Sequence, residues 1–484
     1  MTDCLEHLEP RLVWKHFAAL SAIPRPSKQE GRVRQYVMDQ AAQWDCSTSL
    51  DGVGNLLVRK PGSPGREGEP ILVLQGHLDM VGEKNEGVDH DFAQDPLQLW
   101  RDGDWLRARG TTLGADNGIG CAAALAALED TSLSHPPLEC LFTIDEETGL
   151  TGANQLQPGW LQGRRLLNLD TEEEGILYIG CAGGLDSDLT LRVTRIPANA
   201  GWVPQRLKVA GLQGGHSGLD IHRQRGNAVK ILARILEELR AEFGVQIGSL
   251  DGGDKRNAIP REARALLYLD PGQLAALRAR LEQRQQHLRA DLGVADPGVL
   301  LTLDSWEPAP DEVLDPADAT RLLDYLLACP HGVLAMTPGF PDLVQTSTNL
   351  ASIATQGHQV RVGLSHRSSR AADKQALGDR MRAQAEQGGF RVVQGDGYPG
   401  WEPNPDSPLL AACRRIHREV LGRDPAVMAV HAGLECGLIG EKYPGMDMVS
   451  FGPTIQGAHS PDERLDIPAT AQFWEYLKAL LARL

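Results

Sequence analysis

The sequence predicts an α/β protein with a central sheet, interrupted by a long inserted α+β domain. Three observations point there. Residues 71–75 (ILVLQ), 138–144 (LECLFTI) and 165–170 (RLLNLD) are nearly continuous apolar runs, the character of strands covered on both faces. Near residue 187 the pattern changes, and 188–195 (DLTLRVTR) alternates polar with apolar as a half-exposed strand does. The Gly- and Pro-dense stretch at 395–408 (GDGYPGWEPNPDSP) reads as a linker, after which α/β character returns. The expected segments are 1–186 and 399–484 for the α/β domain and 187–398 for the insertion.

The elements follow in order. Residues 11–45 read as helical, broken at IPRPSKQEG by Pro24 and Pro26. The strand at 71–75 runs into Gly76 and then His77 and Asp79. Between it and the strand at 138–144 lies NGIGCAAALAALED (117–130), an Ala-rich helix. The insertion then reads as strand 205–211, helix 226–243, strands 244–250 and 262–268, and helix 271–290. A comparable series follows: strand 298–305, helix 317–329, strands 344–354 and 359–365, helix 371–387 and strand 390–395. The two series share an order of elements, so two comparable, ferredoxin-like halves are expected. Beyond the linker come helix 409–421, strands AVMAVHA and DMVSFG, and a last helix from Pro468.

Bulk properties narrow the partners. A chain of 484 residues is too long for one ordinary core. A net charge of −16 argues against nucleic acid or an anionic membrane as the main partner. The opening MTDCLEHLEPRLVWKHF carries acids early and has no apolar centre, so no signal peptide is read there. No apolar run approaches the ~18 residues of a membrane helix. The 8 cysteines are scattered without a C-x-x-C pair. They read as reduced thiols in a cytoplasmic protein.

The chemistry gathers at strand ends. His77 and Asp79 follow one apolar strand, and Asp145, Glu146 and Glu147 (FTIDEETG) follow another. Asp170 ends a third, Asp116 stands in TTLGADNG before the Ala-rich helix, and His459 in PTIQGAHSPDE. Taken singly, each has an ordinary explanation: a polar strand end, a solvated acidic turn, a helix cap or a loop histidine. Together they show strand after strand ending in an acidic residue or His, and ligands of open α/β sheets collect beyond the carboxyl ends of strands. So many acids in one place are unfavourable without a compensating cation. Imidazole with carboxylate suits zinc, or manganese and cobalt.

GHLDMV, TTLGADNGIG, DEETG, NLDTEE and GAHSPDE, in this order, resemble the di-zinc exopeptidases, the family of carnosinases and bacterial dipeptidases. IPRPS, GGHSGLDI, RNAIPRE, HAGLECG and YPGMDMVSFGPTI narrow the resemblance to the bacterial aminoacyl-histidine (cytosol non-specific, Xaa-His) dipeptidases. It covers both α/β segments and parts of the insertion, and implies a catalytic domain with a mixed sheet and an inserted lid.

The resemblance also implies roles. His77 and Asp170 would bind one divalent ion, Glu147 and His459 a second, and Asp116 would bridge them. Asp79 would orient His77, and Glu146 would be general base to a hydroxide between the ions. A cis peptide is implied at Asp116–Asn117. His216 would stabilise the oxyanion, while Asn257 and Arg367 would bind the substrate's C-terminal carboxylate. The activity implied is hydrolysis of dipeptides, with Xaa-His and β-Ala-His as favoured substrates. The alternatives are a tripeptidase or N-acyl amino acid amidohydrolase of the same chemistry, or a non-catalytic metal-binding relative. Intact Glu146 speaks against the last. The partner is a small peptide, not nucleic acid or membrane, and the sequence leaves monomer and homodimer both open.

Overall fold

The structure is a computed structural model that describes residues 3–338 and 340–484. It divides into two compact units. The first comprises Met1–Gly180, Trp401–Ala429 and Leu434–Leu484, and the second Cys181–Gly400 and Val430–Gly433.

The first unit is built on an eight-stranded sheet. Its order is Ser47–Leu50, Leu56–Lys60, Leu138–Thr143, Leu72–His77, Arg165–Asn168, Asp447–Ser450, Ile176–Cys181, Ala426–Val430. Leu138–Thr143, Leu72–His77, Arg165–Asn168 and Asp447–Ser450 run parallel, while their neighbours on either side run antiparallel, so the sheet is mixed. Every residue of Leu72–His77 and of Leu138–Thr143 is buried, which is why these segments read as unbroken apolar runs. Each buried Leu there contributes ~1.5–3 kcal/mol.

The helix Ala115–Glu129 is buried almost throughout. Its small side chains let it lie close to the sheet. At Gly120 an added Cβ would come within 2.3 Å of the Leu169 carbonyl oxygen, so no larger residue fits. The helices Arg11–Ser21 and Gly31–Ala41 flank the broken IPRPS stretch. A small four-stranded sheet, ordered Ile455–Gln456, Arg464–Asp466, Trp105–Ala108, Leu99–Asp102, holds the His459 loop.

The second unit is a nine-stranded sheet with its helices Ala228–Phe243, Leu274–Leu292, Pro316–Ala328 and Ala371–Gln387. It contains two βαββαβ halves, but they are nested rather than tandem. The strand at 298–305, read as the start of the second series, is Leu300–Ser305, and it pairs instead with Val203–Ala210. It thus closes the first half, ordered Leu300–Ser305, Val203–Ala210, Ala263–Leu269, Gln246–Gly252. The second half is ordered Phe340–Gln356, Gln359–Ser368, Gly183–Arg192, Arg391–Gln394. Its first strand therefore precedes the whole first half in the chain. The halves join where Asp251 and Gly252 pair with Ala354 and Ile353. Because Gly183–Arg192 belongs wholly to this sheet, the second unit begins at Cys181 rather than at 187.

None of the described residues forms a disulfide. No helix among them is long and apolar enough to cross a membrane.

Candidate functional site

Strand ends of the first unit bring the predicted acids and imidazoles together. His77 closes the buried strand Leu72–His77 and is itself buried. Its Nε2 lies 3.1 Å from Asp116 Oδ1 and 3.3 Å from Asp170 Oδ1. The other Asp116 oxygen, Oδ2, is 3.2 Å from His459 Nε2, which is 2.9 Å from Glu147 Oε2. His77–Asp116–Asp170, His77–Glu146–Glu147 and Asp116–Glu147–His459 each offer three donor atoms within 4.8 Å of one another. The groups share His77, Asp116 and Glu147, so they form one continuous cluster. The Asp116–Asn117 peptide is cis.

Local structure explains the placement. Asp145 adopts φ 50, a left-handed step that turns the chain out of the strand into the short helix Glu146–Gly149. Its carboxylate accepts from the hydroxyls of Thr148 and Thr151, the local compensation that suits Asp to such a position. The Glu146 and Glu147 amides donate to Asp79 Oδ1 and Oδ2 at 3.0 and 3.2 Å. Asp79 Oδ1 also stands 3.4 Å from His77 Nδ1, and Oδ2 accepts from Ser27 Oγ at 2.7 Å. One buried carboxylate thus holds both the His77 ring and the acidic turn. Asn117 Nδ2 donates to the Leu169 carbonyl at 2.7 Å, tying the helix start to the strand end that carries Asp170.

Burial pulls the His77 imidazole down, but Asp170 and the hydrogen bonds to Asp116, Asp170 and Asp79 outweigh it and leave the group well above its ordinary range. Hydrogen bonds to Asp116 and Glu147 push His459 up to about 11. Burial pushes Asp170 up to about 7 against the pull of His77. Burial likewise drives Glu146 well above the carboxylate range, opposed by His77 and reinforced by Asp170, Glu435 and Glu147. Burial pushes Asp116 up, but hydrogen bonds from His459 and His77 outweigh it and hold its carboxyl well below the ordinary range.

The residues fit divalent ions. Glu147 Oε1 is a buried acceptor without a hydrogen-bond partner among the described residues. Such an orphan costs ~1–3 kcal/mol, more when charged, unless a cation offsets it. Two imidazoles with carboxylates are the donor set of zinc, manganese or cobalt.

The second unit holds the remaining predicted residues. His216 and Ala258 are paired in a two-residue ladder, and Ser217 N donates to the Asn257 carbonyl at 2.7 Å. His216 Nδ1 accepts from the Gly218 and Leu219 amides at 3.2 and 3.1 Å, which leaves the proton on Nε2. Burial, then the charge of Arg367, holds His216 down at about 4, so it is a neutral donor at pH 7. The Asn257 side chain is exposed. Arg367 is buried on the strand Gln359–Ser368, and its Nη1 donates to Tyr398 Oη at 3.0 Å. Among the described residues no carboxylate lies within ion-pair distance of it.

Several neighbours of these groups were passed over in the sequence. Glu435 in HAGLECG is fully buried and accepts from Gln75 Nε2 and Thr143 Oγ1, both at 2.6 Å. His431, in the same motif, is buried in the second unit with Nε2 2.7 Å from Ser347 Oγ. Glu463 and Arg25 bind the loop that carries Asp116. Their only sequence signal is membership of the motifs already noted.

Comparison with known proteins adds independent findings. The sequence profile of Peptidase family M20/M25/M40 matches residues 73–483. The chain is 39% identical over 477 residues to the cytosol non-specific dipeptidase of Escherichia coli (strain K12), covering 99% of this chain and 98% of that protein. It is 41% identical to the solved aminoacylhistidine dipeptidase from Vibrio alginolyticus, with TM-score 0.90 over 99% of this chain and 97% of that one. The aminopeptidase PepT from Bacillus cereus shares the fold at TM-score 0.58 and 15% identity, covering 98% of each chain.

Proposed function

The chain belongs to peptidase family M20/M25/M40, and on that basis we propose that it is a metal-dependent dipeptidase that favours Xaa-His substrates. The observation that carries the reading is Asp116. One of its oxygens reaches His77 and the other reaches His459, the arrangement of a carboxylate shared by two ions. His77 and Asp170 would hold one ion and Glu147 and His459 the other. Two divalent ions there, zinc by donor chemistry, would polarise the scissile carbonyl and acidify a water.

The chain's own groups do the rest. Glu146 accepts the proton of the attacking water and returns it to the leaving amine. Asp79 holds the His77 ring and, through two amides, the Glu146–Glu147 turn. The Nε2–H of His216 donates to the oxyanion of the tetrahedral intermediate. Arg367, a buried cation beside a neutral phenol, and Asn257 bind the free C-terminal carboxylate. The cytoplasm is the proposed site of action, in keeping with the name of the Escherichia coli relative.

A panel of dipeptides, tripeptides and N-acyl amino acids, assayed with added zinc, manganese or cobalt, tests the reading. Dipeptides should be cleaved fastest, with β-Ala-His and other Xaa-His among the best. Faster cleavage of tripeptides or N-acyl amino acids would overturn the substrate assignment.

A further inference from the structure

Asp116 reaches the cluster from a loop whose four consecutive amides converge on one side chain. Leu113 N and Gly114 N donate to Glu463 Oε2 at 2.7 and 2.9 Å. Ala115 N and Asp116 N donate to Oε1 at 2.8 and 3.3 Å. Gly114 has φ 64, and this left-handed step turns the successive amides toward one anion. On the loop's other side Arg25, fully buried, donates to the Gly114 carbonyl. It also donates to the Leu78 and Asp79 carbonyls at 2.9 and 2.8 Å, beside His77.

Glu463 is equally tied to the second imidazole. It follows His459 by four positions, and its own N–H donates to the Ser460 carbonyl at 3.0 Å. Ser460 Oγ in turn donates to the Gly457 carbonyl at 2.7 Å and accepts from the Asp462 amide at 3.2 Å. His459 is held in this turn at φ 62. Glu463 is buried, so its charge is balanced within the protein by the four amides. The Glu463 carboxylate therefore fixes the loop of Asp116, while its backbone N–H closes the turn of His459.

We propose that Glu463 is a positioning residue that registers Asp116 against His459, so that losing its charge loosens the Asp116–Glu147–His459 group and weakens the ion held there more than the other. The inference rests on the two-ion reading above. In Glu463→Gln the amide oxygen still accepts from one pair of N–H groups, but its NH₂ faces the other pair, donor against donor. Two buried charge-assisted bonds are lost, and one bond's worth of that loss passed on to the group corresponds to an affinity about 10- to 150-fold weaker for the ion held there. His77 and Asp170 are not held by Glu463, but Asp116 belongs to both groups, so the other ion should weaken as well, by a smaller factor.

Metal-stripped wild type, Glu463→Gln and Glu463→Asp are titrated with zinc by calorimetry, reading stoichiometry and each Kd. Glu463→Asp keeps the charge but falls one methylene short of the four amides; it should be intermediate, and it carries the test if Glu463→Gln does not fold. Raising zinc above the weakened Kd should restore kcat with KM unchanged. Wild type binding fewer than two ions would overturn the two-ion reading itself. Wild type binding two ions while both variants bind them with unchanged affinity would overturn the coupling alone. Equal weakening of both ions, or kcat that stays low at saturating zinc, would assign Glu463 a general structural role and also overturn it.

Discussion

Removing the Arg367 charge and removing the substrate's terminal charge should be the same perturbation made from two sides. Arg367 is 7% exposed, and its hydrogen-bond partner among the described residues is the neutral Tyr398 phenol. A carboxylate bound there meets a desolvated guanidinium with no competing acid. A charge-assisted hydrogen bond contributes ~1.5–3 kcal/mol. At ~1.4 kcal/mol per tenfold, amidating a dipeptide's C-terminus should lower kcat/KM about 10- to 150-fold. Arg367→Ala should lower it similarly on the free dipeptide and far less on the amide, because the interaction is already gone. Arg367→Lys should fall between them, keeping the charge but losing the planar fork. The assay is kcat/KM for the four enzyme–substrate combinations at saturating metal. Fully additive losses would refute the assignment of Arg367 to the carboxylate.

Three further outcomes follow from named groups. Glu147→Gln should weaken ion binding, measurable by calorimetry, because Glu147 belongs to two of the three donor groups. Chelation of the metal should destabilise the protein by ~2.7 kcal/mol for each ion present at 100 times its Kd, seen as a lower Tm that added zinc restores. His366 is fully buried between Ser187 Oγ and Thr348 Oγ1, and burial, then Arg256, lowers it to about 4. The unfolded chain, with the ordinary histidine value of ~6.5, therefore binds more protons between those values. Its stability contribution is complete above ~6.5 and is lost as pH falls toward 4, so ~1–2 kcal/mol should disappear between pH 7.5 and 5.0. Urea unfolding at both pH values should show a smaller loss for His366→Gln than for wild type, and equal losses would contradict this.

What the sequence made legible follows burial. The runs 71–75 and 138–144 were readable because the strands Leu72–His77 and Leu138–Thr143 are buried on both faces. The strands Ser47–Leu50 and Leu99–Asp102 were not, because both lie largely at the surface and carry no periodic signal. Glu146, Glu147 and Asp170 are legible because each follows a strand that is, and Asp116 because it opens the Ala-rich helix. Nesting of the two halves was invisible, because Leu300–Ser305 pairs with a strand about a hundred residues earlier and no local pattern records a partner. Glu463 was missed for a related reason: it binds backbone amides 347 to 350 positions away, and amides have no sequence signature.

The measurement that tests the account most directly is Glu146→Gln, examined for both bound metal and turnover. Glu146 lies within 4.8 Å of donor atoms on His77 and Glu147, yet in this account it carries the proton and not an ion. The variant should therefore bind two ions with affinities near those of wild type. Its kcat on a dipeptide should fall ~10²- to 10⁴-fold, the usual loss when a general base is removed. A variant that keeps near-normal turnover, or one that loses an ion along with its activity, would contradict the assignment on which the mechanism rests.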